Sequence, residues 1–282
     1  MDPHTAGMTS VHPLDDTIAL QWQPDGTATG RYPAHYWNMI GPFGGSTAAL
    51  LLNGVMGHPE RLGEPISLTV NYAGPVDQGP FELRARPVRT NRSTQHWIVE
   101  LWHPGADGAA PALSTTATVV TAKRRPTWEA SDAPMPAVPD ADAVPRAWRP
   151  VQVPWLDRYE FRPIVGDIPA TWDGSGEHSL SQLWMRDDPP RPLDFCGLAA
   201  LCDVFFPRVW LRRAHRVPAG TVSMTVYFHA DGRLLRTCGT DCVLGEARAQ
   251  AYRHGFFDQS GLVWNRQGML LASTHQIVYF KE

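Results

Sequence analysis

Residues 67–72 read SLTVNY and residues 223–228 read SMTVYF, 156 positions apart. Both alternate apolar and polar side chains, the period of a strand with one buried face. The surroundings repeat as well. Ahead of the first lies GGSTAALLLNGVM, starting at Gly44, and ahead of the second LDFCGLAALCDVFF, starting at Leu193. Each is an apolar, small-residue run that suits a buried helix. FELRARPVRT and TQHWIVELWH follow the first motif; RAQAYRHGFF and GLVWN follow the second. The halves close on PALSTTATVV and MLLASTHQIVY, which match at an offset of 159. Turn signals stand at Asp77-Gln78-Gly79, Pro104-Gly105-Ala106-Asp107-Gly108 and Arg266-Gln267-Gly268.

The chain is therefore read as a duplication, with halves at 1–122 and 156–282. Between them the stretch from Pro126 to Pro154 carries seven prolines among small and acidic residues. Proline rules out a helix or a central strand there, so 123–155 is expected to be an extended linker. In each half a strand or two precede one helix, and four strands follow it. A long apolar helix beside an antiparallel meander is buried only if the sheet wraps around it. That is the α+β arrangement called a hotdog, and two in tandem make a double hotdog. Its halves are expected to pair as two subunits of a dimer do.

Of the 282 residues 43% are hydrophobic and 19% charged, enough apolar material for a core and too much for a disordered chain. A formal net charge of −3 gives no footprint for nucleic acid. No apolar run reaches the ~18 residues of a membrane span. The opening MDPHTAGMTSVHPLDD has no basic region followed by an apolar one, so the protein reads as cytoplasmic. Cys196, Cys202, Cys238 and Cys242 are too few for a disulfide scaffold. Their spacing fits no common zinc pattern, so they are read as buried thiols rather than metal ligands. There is no G-x-S-x-G elbow, phosphate loop or H-E-x-x-H helix.

Asp203 is the first candidate for chemistry. In LAALCDVFFP it is the only acidic or basic side chain between Asp194 and Arg208. Asp194 is placed to cap the helix start, whereas Asp203 falls near its end, with Pro207 as the stop. A carboxylate there faces the negative end of the helix dipole, so capping does not explain it. Its apolar neighbours imply desolvation, which raises a carboxyl pKa and makes a better base. The plainer alternative is an aspartate on a solvent-facing helix side. Thr221 opens the strand TVSMTVYFH, where alternation puts it on a face with Ser223, Thr225 and Tyr227, opposite Met224. Gln276 shares a face with Ala272, Thr274 and Val278, and a buried amide there needs partners. Taken singly, both are ordinary strand residues. Gly44 and Gly45 open the first helix, whose backbone N–H groups can hold an oxyanion or a thioester carbonyl; a glycine-only turn is the alternative. Arg89 and Arg92 read as a solvated strand end. Trp22, Trp37, Trp97 and Trp102 read as packing.

These motifs resemble the acyl-CoA thioesterase II family, the TesB-like double hotdogs. The likeness rests on GPFGGSTAALLL, PISLTVNYAGPVDQG and VRTNRS in the first half. In the second it rests on AALCDVFFP, GTVSMTVYFH and GMLLASTHQ. The resemblance implies that Asp203 is the general base and that Thr221 and Gln276 position a water. It implies an acyl-CoA substrate, direct hydrolysis to acid and CoA, and no cofactor. Family members often carry Asp-His where this chain has Ser223-Met224, a change expected to alter substrate fit. Leu52-Asn53 occupies the place matching Asp203 in the first half, so one site per chain is expected. A catalytically silent acyl-CoA or lipid binder is the main alternative. A hydratase ranks below it, for want of a Gly-Asp-x-Asn-x-x-His stretch. Exposed sheet edges leave room for a homo-oligomer.

Overall fold

The computed structural model describes residues 11–105, 109–147 and 152–282. The first ten residues, the tip of the Pro104 turn (106–108) and 148–151 of the proline-rich stretch lie outside that description. The first half comprises α1 (Pro13–Thr17), β1 (Gln21–Trp22), β2 (Thr27–Tyr32), α2 (Gly44–Met56), β3 (Glu64–Tyr72), β4 (Gly79–Thr90), β5 (Thr94–His103) and β6 (Ala112–Ala122). The second opens with β7 (Tyr159–Val165), β8 (Ser181–Asp187), α3 (Phe195–Leu201), α4 (Arg208–Arg213) and β9 (Ala219–Phe228). It continues with α5 (Gly232–Cys238), β10 (Val243–Arg248), β11 (Tyr252–Arg253), β12 (Phe256–Trp264) and β13 (Leu270–Phe280).

One antiparallel sheet runs β1-β2-β4-β5-β6-β3-β9-β13-β12-β10-β8-β7, with β11 attached to β12. The order is a palindrome about the β3–β9 pair. Thr69 lies opposite Thr225, its own repeat equivalent, and their hydroxyls meet at 3.0 Å. A strand that pairs antiparallel with its copy through equivalent residues marks a pseudo-two-fold axis. The register also corrects the offset of the closing strands. Thr69 pairs with Thr118 and Thr225 with His275, so β6 and β13 are related by 157 positions, not 159. A two-residue slip preserves the alternation of faces, which is why sequence similarity did not expose it.

α2 is apolar all round and buried along nearly its whole length, packed against β3, β4, β5 and β6. All seven residues of α3 are buried, and the two helices meet across the axis. This is the double hotdog. The second half departs from the single-helix plan. α5, capped by Asp231 Oδ1 on Leu234 N at 2.7 Å, intervenes between β9 and β10. RAQAYRHGFF is broken at His254-Gly255, both with positive φ, into β11 and β12. The proline-rich stretch contains 3-10 turns at Ala141–Ala143 and Pro154–Arg158, and it is docked rather than free. Trp184 Nε1 donates to Pro139 O and Trp264 Nε1 to Ala133 O, at 2.9 and 3.0 Å. All four cysteines are buried. Among the described residues no helix is long and apolar enough to cross a membrane.

Candidate active site

α3 starts where Asp194 Oδ1 accepts from Gly197 N at 2.7 Å, the cap expected from the sequence. It ends at Leu201, earlier than Pro207, which instead forms the N-cap of α4. Asp203 sits in the turn between, its N–H on Ala200 O at 3.1 Å. The side chain reaches across the axis to the start of α2, where the Gly45 N–H bonds the carboxylate. Asp203 is thus beyond the negative end of its own helix and at the positive end of the other.

The two glycines make this approach possible. A Cβ on Gly44 would stand 2.7 Å from Asp203 Oδ2, and one on Gly45 would stand 2.5 Å from Ala200 O. Close contact, rather than positive φ, therefore explains them. Phe43 at the N-cap offers no side-chain cap, and both Ser46 N and Thr47 N go to Phe43 O. The first two amides of α2 consequently have no carbonyl partner within the helix, and that of Gly45 serves Asp203.

Gln276 and Thr221 complete the group. Gln276, buried on β13, donates from Nε2 to Asp203 Oδ1 at 2.8 Å, and its Oε1 accepts from Thr221 Oγ1 at 3.2 Å. The face assigned to Thr221 by alternation is overturned. Ile277 pairs with Ser223 but Val278 pairs with Thr221, so Val222 is an extra, bulged residue. The bulge inverts the phase and turns Thr221 inward with Met224. Met224, fully buried, backs the site with Sδ 3.5 Å from Gln276 Nε2.

These groups open on a cavity of about 320 Å³ lined by Gly44, Asp203, Thr221 and Gln276. Its walls are largely apolar, and include Phe205 and the stacked Phe43 and Trp155, whose ring centres lie 4.4 Å apart. Burial pushes the Asp203 carboxyl up to about 7, while the bonds from Gln276 and Gly45 pull the other way. A carboxyl in that range both accepts and returns a proton near neutrality.

The combination of fold and site has known counterparts. Residues 33–121 match the acyl-CoA thioesterase N-terminal domain and residues 129–280 the acyl-CoA thioesterase C-terminal domain. The chain belongs to the acyl-CoA thioesterase family. It is a thioester hydrolase by that membership. This thioesterase is 47% identical to a conserved protein of unknown function with a hot dog fold from Alicyclobacillus acidocaldarius, with a TM-score of 0.90. That match covers 97% of this chain and 99% of the other. At 18% identity, it shares its fold with an acyl-CoA thioesterase II of Mycobacterium marinum, over 95% of this chain and 98% of that one, with a TM-score of 0.74. A search of curated proteins finds no match.

Two residues at the site of this thioesterase escape a reading by motif. Tyr72 comes from the first half, lines the cavity and donates to Gly44 O at 2.8 Å. Burial and the nearby Asp203 push its hydroxyl well up. The repeat itself carries the signal, since Tyr72 matches Phe228 and differs by a hydroxyl. Gln259 also lines the cavity, signalled, like Gln276, by an amide on an apolar strand face. Arg89 and Arg92 are exposed and remote from these contacts, with Arg89 on Asn91 Oδ1 at 3.0 Å. Asn53 holds Ile18 O at 2.7 Å.

Proposed function

We propose that this thioesterase hydrolyses acyl-CoA by direct attack of water, with Asp203 as general base. The observation that carries the reading is the chain Thr221–Gln276–Asp203, hydrogen-bonded and open to the cavity beside an uncapped helix start. Thr221 and Gln276 hold a water against the carboxylate, which fixes its approach to the thioester carbon. Asp203 takes the proton as the water oxygen bonds to carbon. The carbonyl oxygen becomes an oxyanion facing the Gly44 amide at the positive end of α2. The oxyanion collapses, the C–S bond breaks, and the CoA thiolate recovers the proton from Asp203. Acid and CoA leave, and no covalent enzyme intermediate forms. In this reading residues 1–122 are a supporting hotdog that supplies the α2 terminus, 123–155 the linker, and 156–282 the catalytic hotdog. The apolar cavity takes the acyl chain.

The test follows thioester absorbance across short, medium, long and aromatic acyl-CoAs, for wild type and Asp203→Asn. Turnover that collapses in the variant supports the reading. Turnover that survives assigns the base elsewhere, and tight binding without turnover means a silent binder.

A further inference from the structure

The Gly44–Gly45 peptide is weakly restrained by its own sequence. Neither residue has a Cβ, and Phe43 ahead of them gives no side-chain cap. A peptide between two glycines turns at little steric cost. Yet its orientation matters, because the Gly45 N–H bonds the Asp203 carboxylate.

Tyr72 holds this peptide from outside the helix. As the last residue of β3 it lies opposite Thr115. The next two amides, Ala73 N and Gly74 N, both donate to Ser114 O, at 3.0 and 2.8 Å. From that anchored strand end the Tyr72 hydroxyl donates to Gly44 O at 2.8 Å. Gly44 O and the Gly45 N–H belong to one planar unit and point opposite ways across it. Tyr72 therefore grips one side of the peptide and Asp203 the other. A Cβ on Gly44 would stand 3.2 Å from the Tyr72 hydroxyl and 2.7 Å from Asp203 Oδ2, so both groups close on this residue. A donor on the carbonyl also polarises the peptide and strengthens the bond its N–H gives. The repeat supplies the contrast. Phe228, the equivalent residue of β9, packs edge-on against Phe195 at the start of α3, with ring centres 5.7 Å apart. No hydroxyl stands there, where Asp194 already caps the helix.

We infer that Tyr72 is a positioning residue, its hydroxyl pinning the Gly44–Gly45 peptide so that the Gly45 N–H is aimed at Asp203. The inference rests on the hydrolytic reading above and adds a part played by the first hotdog. Burial and the nearby Asp203 push the Tyr72 hydroxyl well up, which keeps it a donor near neutrality. Tyr159 and Cys202 also face Asp203, and burial pushes both up, so both stay neutral. Gln276 and Gly45 are thus the groups that favour the charged carboxylate. Weakening the Gly45 bond raises the carboxyl pKa.

The experiment records kcat/KM against pH for wild type, Tyr72→Phe and Tyr72→Leu, with Asp203→Asn alongside. Phenylalanine is the residue the second half carries at this place. The rise, near pH 7 in wild type, is expected about 0.3–0.5 of a pH unit higher without the hydroxyl. On the alkaline plateau kcat is expected to fall about 3- to 10-fold, with KM moved less. A midpoint equal to that of wild type, with or without loss of kcat, overturns the inference, as does a shift to lower pH. Tyr72→Leu decides where Tyr72→Phe does not fold. Undiminished turnover by Asp203→Asn defeats the hydrolytic reading instead. Urea melts across pH, each chain set against its own Asp203→Asn partner, then locate the carboxyl midpoint without turnover. The same upward shift upholds the inference, and equal midpoints overturn it.

Discussion

The two hotdogs share a frame but not a site. Both central strands bulge at the same place, Ile66 in β3 and Val222 in β9. At the inward position beside the bulge the first half has Pro65 where the second has Thr221. By the same register Val119 stands where the second half has Gln276. The helix starts differ too. α3 is closed by its own Asp194, whereas α2 begins at Phe43 with no side-chain cap. The second half thus supplies the polar groups, and the first supplies an open helix terminus and the Tyr72 hydroxyl. A duplicated fold has become asymmetric through a few residues, each of which changes where a proton or a partial charge sits.

Removing the proposed base tests the contrast most severely. Asp203→Asn is expected to lower kcat about 10³-fold, read by thioester absorbance, with circular dichroism unchanged. The same variant is expected to melt higher at pH 8. The folded carboxyl titrates at about 7, above its ordinary 3.8, so the folded state binds the proton more tightly. Ionisation above pH 7 therefore costs stability, and the cost fades as pH falls through about 7 toward about 4. The gain from Asn, on the order of a few kcal/mol at pH 8, should fade in step.

Giving the second half the residue of the first, Gln276→Val, is expected to lower kcat about 10²-fold by releasing both Thr221 and the carboxylate. Gly44→Ala, whose Cβ would crowd Asp203 Oδ2, is expected to lower kcat about tenfold, a split from KM that steady-state kinetics reads. The smallest effect belongs to the closed terminus. Asp194→Ala is expected to remove about 1 kcal/mol of stability in urea melts while kcat holds. A large loss of turnover there would break the contrast between the two helix starts.

The duplication was legible because period-two alternation and helical runs repeat in the same order. Asp203 stood out as a lone charge in an apolar run, and Asp194 as a cap. What escaped has a common cause in local geometry. The bulge at Val222 inverts the face of Thr221, and no residue in TVSMTV signals an extra position. The equivalence of Gln276 with Val119 depends on register, which a two-residue slip leaves invisible to pattern. The role of Gly44 and Gly45 arises between halves, where α2 meets α3. The family resemblance named Asp203, Thr221 and Gln276 together; their hydrogen bonds supply the physical reason they form a set.

The most direct measurement of the central claim is the pH dependence of kcat/KM on a turned-over acyl-CoA. A base buried at the start of α2 predicts a rise through an apparent pKa near 7, with about a tenfold loss per unit below it. A profile flat from about pH 5 to about pH 8, or one that falls as pH rises, contradicts Asp203 as the base.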